Sequence, residues 1–431
     1  MVNPPPRLKA ILILALLGIL LGCFTRVVRG VESDFPRHYE FARRFAAGEL
    51  IYNTGLDVPY PPFWAMFWAP WTRLSLRGAH VTAFVVMGAG GLVALCGILL
   101  RIGRRVLPAS EDLHVVALAL ALVLTARFIL RDLVEGGPNL LVWALVWGGV
   151  SFYLHGRRCA CGILVGVATA LKMTPALFIP YFLLKREWRI AAAILATAAL
   201  LTAAPGLYQA PPVFLQEMGM WGRTVWQGMT ALDPSATILD APSAANLSLR
   251  PALARFFQRY PAGHPLYLDH PGFLQFLDLS PRHAGMLVRA AMAALLLVVG
   301  WRFRRQASDA EPPVVLPLEL AAVSALVLLY SPITWKQHAV SLLPAAFLLI
   351  CCSIRWDRVA AWMWWALGYY VAFGVLLTRD VTGRSLSLLL ESYHVVTWAV
   401  LLVVLLLLAW HRRVLRPGFT AEPNRSPAGC A

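Results

Sequence analysis

Asp34 stands six residues beyond the apolar stretch 10–28, in the run Glu32-Ser33-Asp34-Phe35-Pro36-Arg37-His38-Tyr39. A carboxylate just outside the first span of a polytopic chain can act as a base at the water–lipid boundary, which suits an enzyme acting on lipid-linked substrates. Sugar transfer from a lipid phosphate needs a base to take the proton of the acceptor hydroxyl. It also needs a cation to stabilise the departing phosphate. Asp34 suits the first role, and Arg37, Lys172, Lys336 and His338 are candidates for the second. His38, Arg131, Asp132, Glu135, Asn139, Asn246 and Arg250 add polar groups at span ends or on the same expected face. Ionisable groups at membrane depth are costly and usually mark substrate pathways. No metal-ligand spacing stands out. A divalent ion held by Asp34 with Asp132 or Glu135 is the less favoured arrangement, and no cofactor is expected.

Each residue also has a plainer role open to it. Asp34 could cap the helix that begins near Pro36. Arg43 and Arg44 could touch lipid headgroups. Lys172 could extend to the interface, His338 could be an ordinary span-end histidine, and Asp132 could pair with Arg131 or Arg127.

The elements that must position these groups are apolar. The chain has 431 residues, of which 59% are hydrophobic and 14% charged, with a mean hydropathy of +0.65. Soluble domains average about 25% charged residues. Candidate spans lie near 10–28, 79–100, 113–130, 139–155, 160–172, 175–185, 189–207, 284–303, 314–330, 338–353, 358–377 and 393–411, each judged against the roughly 20 apolar residues a crossing needs. Pro175 is expected to interrupt the helix between the fifth and sixth. The net charge of +16 comes from short basic clusters between spans. With about twelve crossings, every cluster falls on one side, the cytoplasm by the positive-inside rule. A nucleic-acid partner is therefore excluded. Both termini are placed in the cytoplasm, and segments 29–78 and 208–283 outside, with shorter outer loops at 131–138, 331–337 and 378–393. Segment 61–74 lies at the outer interface without crossing. The outer segments carry many Trp and Tyr, which favour the interface.

Arg7 and Lys9 before an apolar run mimic a secretory signal, and Leu20-Leu21-Gly22-Cys23 resembles a lipoprotein cleavage site. The run is long enough to span, so retention is expected. The seven cysteines form neither a zinc pattern nor a disulfide framework. No internal repeat is evident, which weakens a transporter built from repeats.

Asp34-Phe35 followed by Tyr39, Ala42, Gly48, Tyr52 and Tyr60-Pro61-Pro62 resembles glycosyltransferase family 87, GT-C-type mannosyltransferases that use polyprenyl-phosphate-mannose. Four further segments are similar in the expected order. Gly136-Gly137-Pro138-Asn139-Leu140-Leu141 resembles Gly-Gln-x-Asn-Leu-Leu, and Lys172-Met173-Thr174-Pro175 resembles Lys-x-x-Pro. Asn246-Leu247-Ser248 with Arg255 resembles an Asn-x-Ser segment, and Ser331 through His338 resembles Ser-Pro-x-x-Trp-x-x-His. The family glutamine is Gly137 here, a departure that bears on the sugar and acceptor more than on the reaction type.

The resemblance implies an all-α polytopic membrane protein of GT-C architecture, with one catalytic domain over 1–411 and a short disordered cytoplasmic tail over 412–431. It implies an inverting transfer of a hexose, mannose first, from a polyprenyl phosphate to a lipid or glycan acceptor at the periplasmic face of a bacterial plasma membrane. Asp34 is the expected base. Arg37, His38, Tyr60 and Asn139 are expected to contact substrate, as are Lys172, Asn246, Lys336 and His338. The expected partners are membrane lipids, the donor and the acceptor. A flippase of lipid-linked sugars and a non-catalytic membrane subunit are the alternatives.

Overall fold

A computed structural model describes residues 6–52, 59–107, 111–231, 233–234, 243–260, 264, 273–304, 312–355 and 360–416. No strand occurs among them. In lipid every backbone N–H and C=O needs an internal partner, and a helix supplies that within one segment.

α1 (Pro6–Val28) precedes α2 (Phe35–Ala46), which buries Phe35, His38, Phe41, Ala42 and Phe45 on one face. α3 (Pro62–Trp68) continues into a 3₁₀ turn. α4 (Leu76–Ala83) passes through a π-helical segment into α5 (Gly91–Val106), and α6 (Glu111–Glu135) follows. α7 (Asn139–Leu154), α8 (Arg158–Leu171), a 3₁₀ turn (Thr174–Leu177), α9 (Phe178–Leu184) and α10 (Trp188–Ala203) come next. α11 (Pro211–Thr230) and α12 (Leu249–Phe257) lie in the second large polar segment. α13 (Pro281–Phe303), α14 (Val315–Tyr330), a 3₁₀ segment (Lys336–Leu342) and α15 (Leu343–Arg355) lead to α16 (Ala361–Tyr369), α17 (Arg379–Ser392) and α18 (Val395–Val414).

Six helical stretches are long and apolar enough to cross a membrane: Leu76–Val106, Asp112–Glu135, Trp188–Leu207, Pro281–Phe303, Lys336–Ile354 and Val395–Val414. A seventh candidate is the pair Ala361–Leu376 and Arg379–Ser392, bent by 106°. Shorter apolar helices occupy the other expected spans. α14 is the central post. From Val315 to Leu329 only Leu316 escapes full burial.

α8 and α10 pack through Gly162 and Gly166. A Cβ on Gly162 would lie 2.5 Å from Ala193 Cβ and 2.7 Å from the Ile190 carbonyl. One on Gly166 would lie 2.9 Å from the Ile194 carbonyl. Small residues four apart let two backbones approach where lipid supplies no hydrophobic drive between helices. Gly162→Leu is expected to cost about 3 kcal/mol through overpacking. Gly97→Leu on α5, where nothing lies within 4 Å, is the control. The thermal midpoint in detergent measures both, and equal midpoints would count against this contact.

Three expectations are corrected. The loop expected at 131–138 shrinks to 136–138, because α6 runs to Glu135. Segment 378–393 is largely α17, interrupted at Gly383 with φ +74°. The expected break falls within Lys172–Pro175, with α8 ending at Leu171 and Lys172 extended at φ −154°, ψ 119°. A proline ring collides with the carbonyl four residues back, and that residue is Leu171. Finally, α18 continues to Val414, so the expected tail begins inside a helix, while 417–431 lies outside the described residues.

Candidate active site

A cavity of about 870 Å³ opens where the start of α2, the end of α6, the α8–α9 break and the segment 330–338 converge. Its lining has two chemistries. Met173, Ala176, Leu177 and Pro180 form one apolar flank, continued by Val327 of α14 and by Val225 and Met229 of α11. Asp34, Arg37, His38, Asn139, Lys172 and His338 stand at the polar part, with Tyr60, Arg131, Glu135, Lys336 and Gln337.

Asp34 occupies the N-cap of α2, yet its carboxylate caps nothing. An N-cap side chain normally accepts from the second or third helical amide. The second is Pro36, which has no N–H. The third, Arg37, donates to the Asp34 carbonyl at 3.0 Å. The carboxylate is thereby left to the cavity, where Gln337 Nε2 donates to Oδ2 at 3.4 Å. The Asp34 amide donates to Glu135 Oε2 at 2.6 Å.

Lys172 is 8% exposed. Its Nζ donates to Asn139 Oδ1 at 2.6 Å, and Asn139 Nδ2 donates to Asp132 Oδ1 at 2.6 Å. The ammonium lies 5.6 Å from the centre of the Tyr60 ring. Lys172 and Arg37 form no ion pair among the described residues. The other two cavity cations are matched, Arg131 by Glu135 and Lys336 by Glu391 at 2.9 Å. Arg37 is exposed to the cavity mouth, so the unpaired positive charge is divided between a buried amine and an open guanidinium.

Trp64 Nε1 donates to His38 Nδ1 at 3.2 Å. An indole N–H can only donate, so His38 Nδ1 carries no proton and Nε2 does. Burial, then the charges of Lys172 and Arg37, push the His38 pKa down to about 3. The unfolded ring takes its proton near 6.5, so between these values the unfolded state binds more protons. Stability tied to His38 is full above about pH 6.5 and is lost as pH falls through that window, by about 3 kcal/mol at pH 4.5. The thermal midpoint of the wild type should fall more steeply between pH 6.5 and 4.5 than that of His38→Gln. Parallel curves would exclude a buried neutral ring.

Of the residues singled out by sequence, Asp34, Arg37, His38, Tyr60, Asn139, Lys172, Lys336 and His338 all line this one cavity. Asn246 does not. It is 1% exposed, and its side chain holds Thr334 N at 2.9 Å, the Pro332 carbonyl at 3.0 Å and Ser248 Oγ at 2.6 Å. It builds the loop that carries Trp335 and His338. Arg250 likewise binds the carbonyls of Gly228, Ala231 and Asp233.

Another plainer role also fails. Asp132 pairs with Asn139 and the Leu140 amide rather than with an arginine. Arg43 and Arg44 both bind Glu40. Gln337 was missed, and its one signal was a polar side chain between Lys336 and His338. Among the described residues no group of three or more His, Cys, Asp or Glu is placed to hold a metal ion.

The model of glycosyltransferase family 87 matches residues 59–332. That span takes in Tyr60, Asn139 and Lys172 and stops short of Asp34 on one side and His338 on the other. A polyprenol-phosphate-mannose-dependent alpha-(1-2)-phosphatidylinositol mannoside mannosyltransferase of Mycobacterium tuberculosis is 26% identical over 395 residues, covering 80% of this chain and 84% of the relative. A like-named protein of Mycolicibacterium smegmatis is 27% identical over 386 residues, covering 84% and 79%. A phosphatidylinositol pentamannoside mannosyltransferase from the same organism is 27% identical over 315 residues, covering 72% and 66%.

Proposed function

The chain belongs to glycosyltransferase family 87 and is a membrane glycosyltransferase, and on that premise we propose that it transfers mannose from a polyprenyl-phosphate donor to a hydroxyl of a lipid-anchored acceptor. The observation that carries the reading is the two-sided cavity. An apolar flank suits the first isoprenes of a polyprenyl chain, and an unpaired buried ammonium beside it suits the phosphate. Pockets with largely apolar walls and a few convergent polar groups orient a ligand in this way.

In the proposed reaction the acceptor oxygen attacks the anomeric carbon from the side opposite the phosphate. The new C–O bond forms as the bond to the phosphate oxygen breaks, and the configuration inverts. Asp34 takes the proton of the acceptor hydroxyl. Lys172 and Arg37 stabilise the charge gathering on the phosphate. His38 offers its Nε2–H as a neutral donor, and His338 stands in the same polar wall. No resident cofactor takes part. Asp132 and Glu135 are each held by protein donors, which leaves Asp34 as one carboxylate and too few ligands for a divalent ion.

The proposal extends to the whole chain. The apolar helices make about twelve crossings, with basic clusters and both termini in the cytoplasm. The helices from α1 through α18 form one GT-C catalytic domain in a bacterial plasma membrane, and the cavity opens on the periplasmic side. The acceptors named for the relatives make a phosphatidylinositol mannoside the first acceptor to try.

Purified protein in nanodiscs, given radiolabelled polyprenyl-phosphate-mannose and phosphatidylinositol mannosides, should yield a labelled glycolipid, with or without EDTA. Passage of intact donor across liposomes with no transfer product would overturn the reading in favour of a flippase.

A further inference from the structure

We propose that the last turn of α6 is the positioning element of the active site. Its two buried carboxylates would fix, independently, the base and the phosphate-binding cation. This inference rests on the assignment of Asp34 and Lys172 given above and adds to it two residues that act through others.

Asp132 and Glu135 are three apart on α6, hence on one face of the helix. They are 1% and 2% exposed. Burying a carboxylate is expensive unless its oxygens are paired, and here both oxygens of both groups are engaged. Glu135 Oε2 accepts the Asp34 amide at 2.6 Å, and Oε1 is ion-paired with Arg131. Asp132 Oδ1 accepts Asn139 Nδ2 at 2.6 Å, and Oδ2 accepts the Leu140 amide at 3.2 Å.

The two sets of bonds lead to opposite partners in the reaction. From Glu135 the path is one hydrogen bond to the backbone of Asp34. From Asp132 it is the Asn139 amide, whose far oxygen receives Lys172 Nζ at 2.6 Å. Asp132 also supplies a negative charge behind the ammonium without forming an ion pair with it. Lys172 therefore keeps N–H donors for an anion in the cavity.

The turn itself is locked. Gly136 follows at φ +66°, and a Cβ there would lie 2.8 Å from the Phe35 ring and 3.0 Å from the His80 ring. Only glycine fits. His80 stacks on Phe35 at 4.4 Å and bonds the Val134 carbonyl at 2.9 Å. Phe35, the residue after Asp34, is thus clamped against the same turn that holds the Asp34 amide. One helical turn holds both halves of the site, the Asp34 amide through Glu135 and Lys172 Nζ through Asp132 and Asn139.

The test is which of the two positions moves the donor KM. Glu135→Ala should lower kcat about 10²-fold, the cost of a small misplacement of a reacting group, with the donor KM within about twofold. Glu135→Gln should recover most of that loss, because its amide oxygen still accepts the Asp34 N–H. Asp132→Ala should instead raise the donor KM, about 10-fold, and lower kcat with it, because the cation it positions meets the phosphate in the ground state as well as in the transition state. Should the alanine variants fail to fold, the isosteric Glu135→Gln and Asp132→Asn carry the test. Asp132→Asn should still raise the donor KM severalfold, while Glu135→Gln stays near wild type.

Equal effects of the two positions on kcat and KM would overturn the inference, as would losses of thermal midpoint alone. Asp34→Asn separates the two levels. If it is fully active, the assignment of the base fails. If it is inactive while Glu135→Ala is fully active, only the positioning role fails.

Discussion

Asp34→Asn is expected to lower kcat about 10³-fold, within the range removed with a general base, and to leave folding and donor binding intact. The substitution keeps the shape and removes the basic oxygen. Little else should change, because the carboxylate caps no amide and has one long bond, from Gln337 at 3.4 Å. Its backbone amide stays on Glu135 whatever the side chain. The thermal midpoint should therefore shift by no more than about 0.5 kcal/mol in stability, as for a site away from packing and buried networks. Donor binding, read as the midpoint shift on adding polyprenyl-phosphate-mannose, should equal that of the wild type. Asp34→Glu should be only partly active, since one added methylene moves the oxygens by about 1 Å, enough to cost about 10² in rate. Full transfer activity in Asp34→Asn would remove Asp34 as the base and with it the proposed mechanism.

The all-helical, apolar character was the most legible part of the sequence, because in lipid only helices and closed barrels satisfy the backbone. Each expected span coincides with an apolar helix, including the short ones beside Pro175. The errors share a cause. Polar residues at 131–138 and 378–393 read as loops, yet 131–135 belongs to α6 and 379–392 to α17. At 131–135 the polar side chains satisfy one another. Arg131 and Glu135 pair across one turn, and Asp132 finds Asn139 on the next helix. Hydropathy records that these residues are polar and is silent about their partners.

Asn246 illustrates the same blindness in reverse. It reads as a substrate contact because it is a polar residue in a polar outer segment that resembles the family's Asn-x-Ser. An Asn two residues before Ser is equally the pattern of an Asx turn, and Asn246 Oδ1 does accept the Ser248 amide at 3.1 Å. The local signal was present and pointed to loop construction. The cluster of Asp34, His38, Asn139, Lys172 and His338 was legible as a set of residue types. Its wiring was not, because Asp34 meets Glu135 across 101 residues of sequence and Gln337 across 303.

Lys172→Met carries the second large effect, and its sign in stability is opposite to its sign in activity. An ammonium 8% exposed, with one amide oxygen and no ion pair among the described residues, is costly in the empty protein. Methionine fills a similar volume without that cost. The donor-free variant should be as stable as the wild type or more so, in the way that apolar replacements of buried charge often are. Activity should collapse. Loss of the cation at the departing phosphate should lower kcat about 10²- to 10³-fold, and the donor KM should rise as well, because the same charge meets the phosphate in the ground state. The midpoint shift on adding donor should disappear. Lys172→Arg should not restore activity, since a planar guanidinium cannot take the place of a compact ammonium seated on one amide oxygen over the Tyr60 ring. A Lys172→Met protein that still gains stability from the donor would place the phosphate elsewhere, with Arg37 as the remaining unpaired cation of the cavity. A variant that unfolds without donor would make Lys172 a packing residue, and the buried charge would then need a structural explanation instead of a catalytic one.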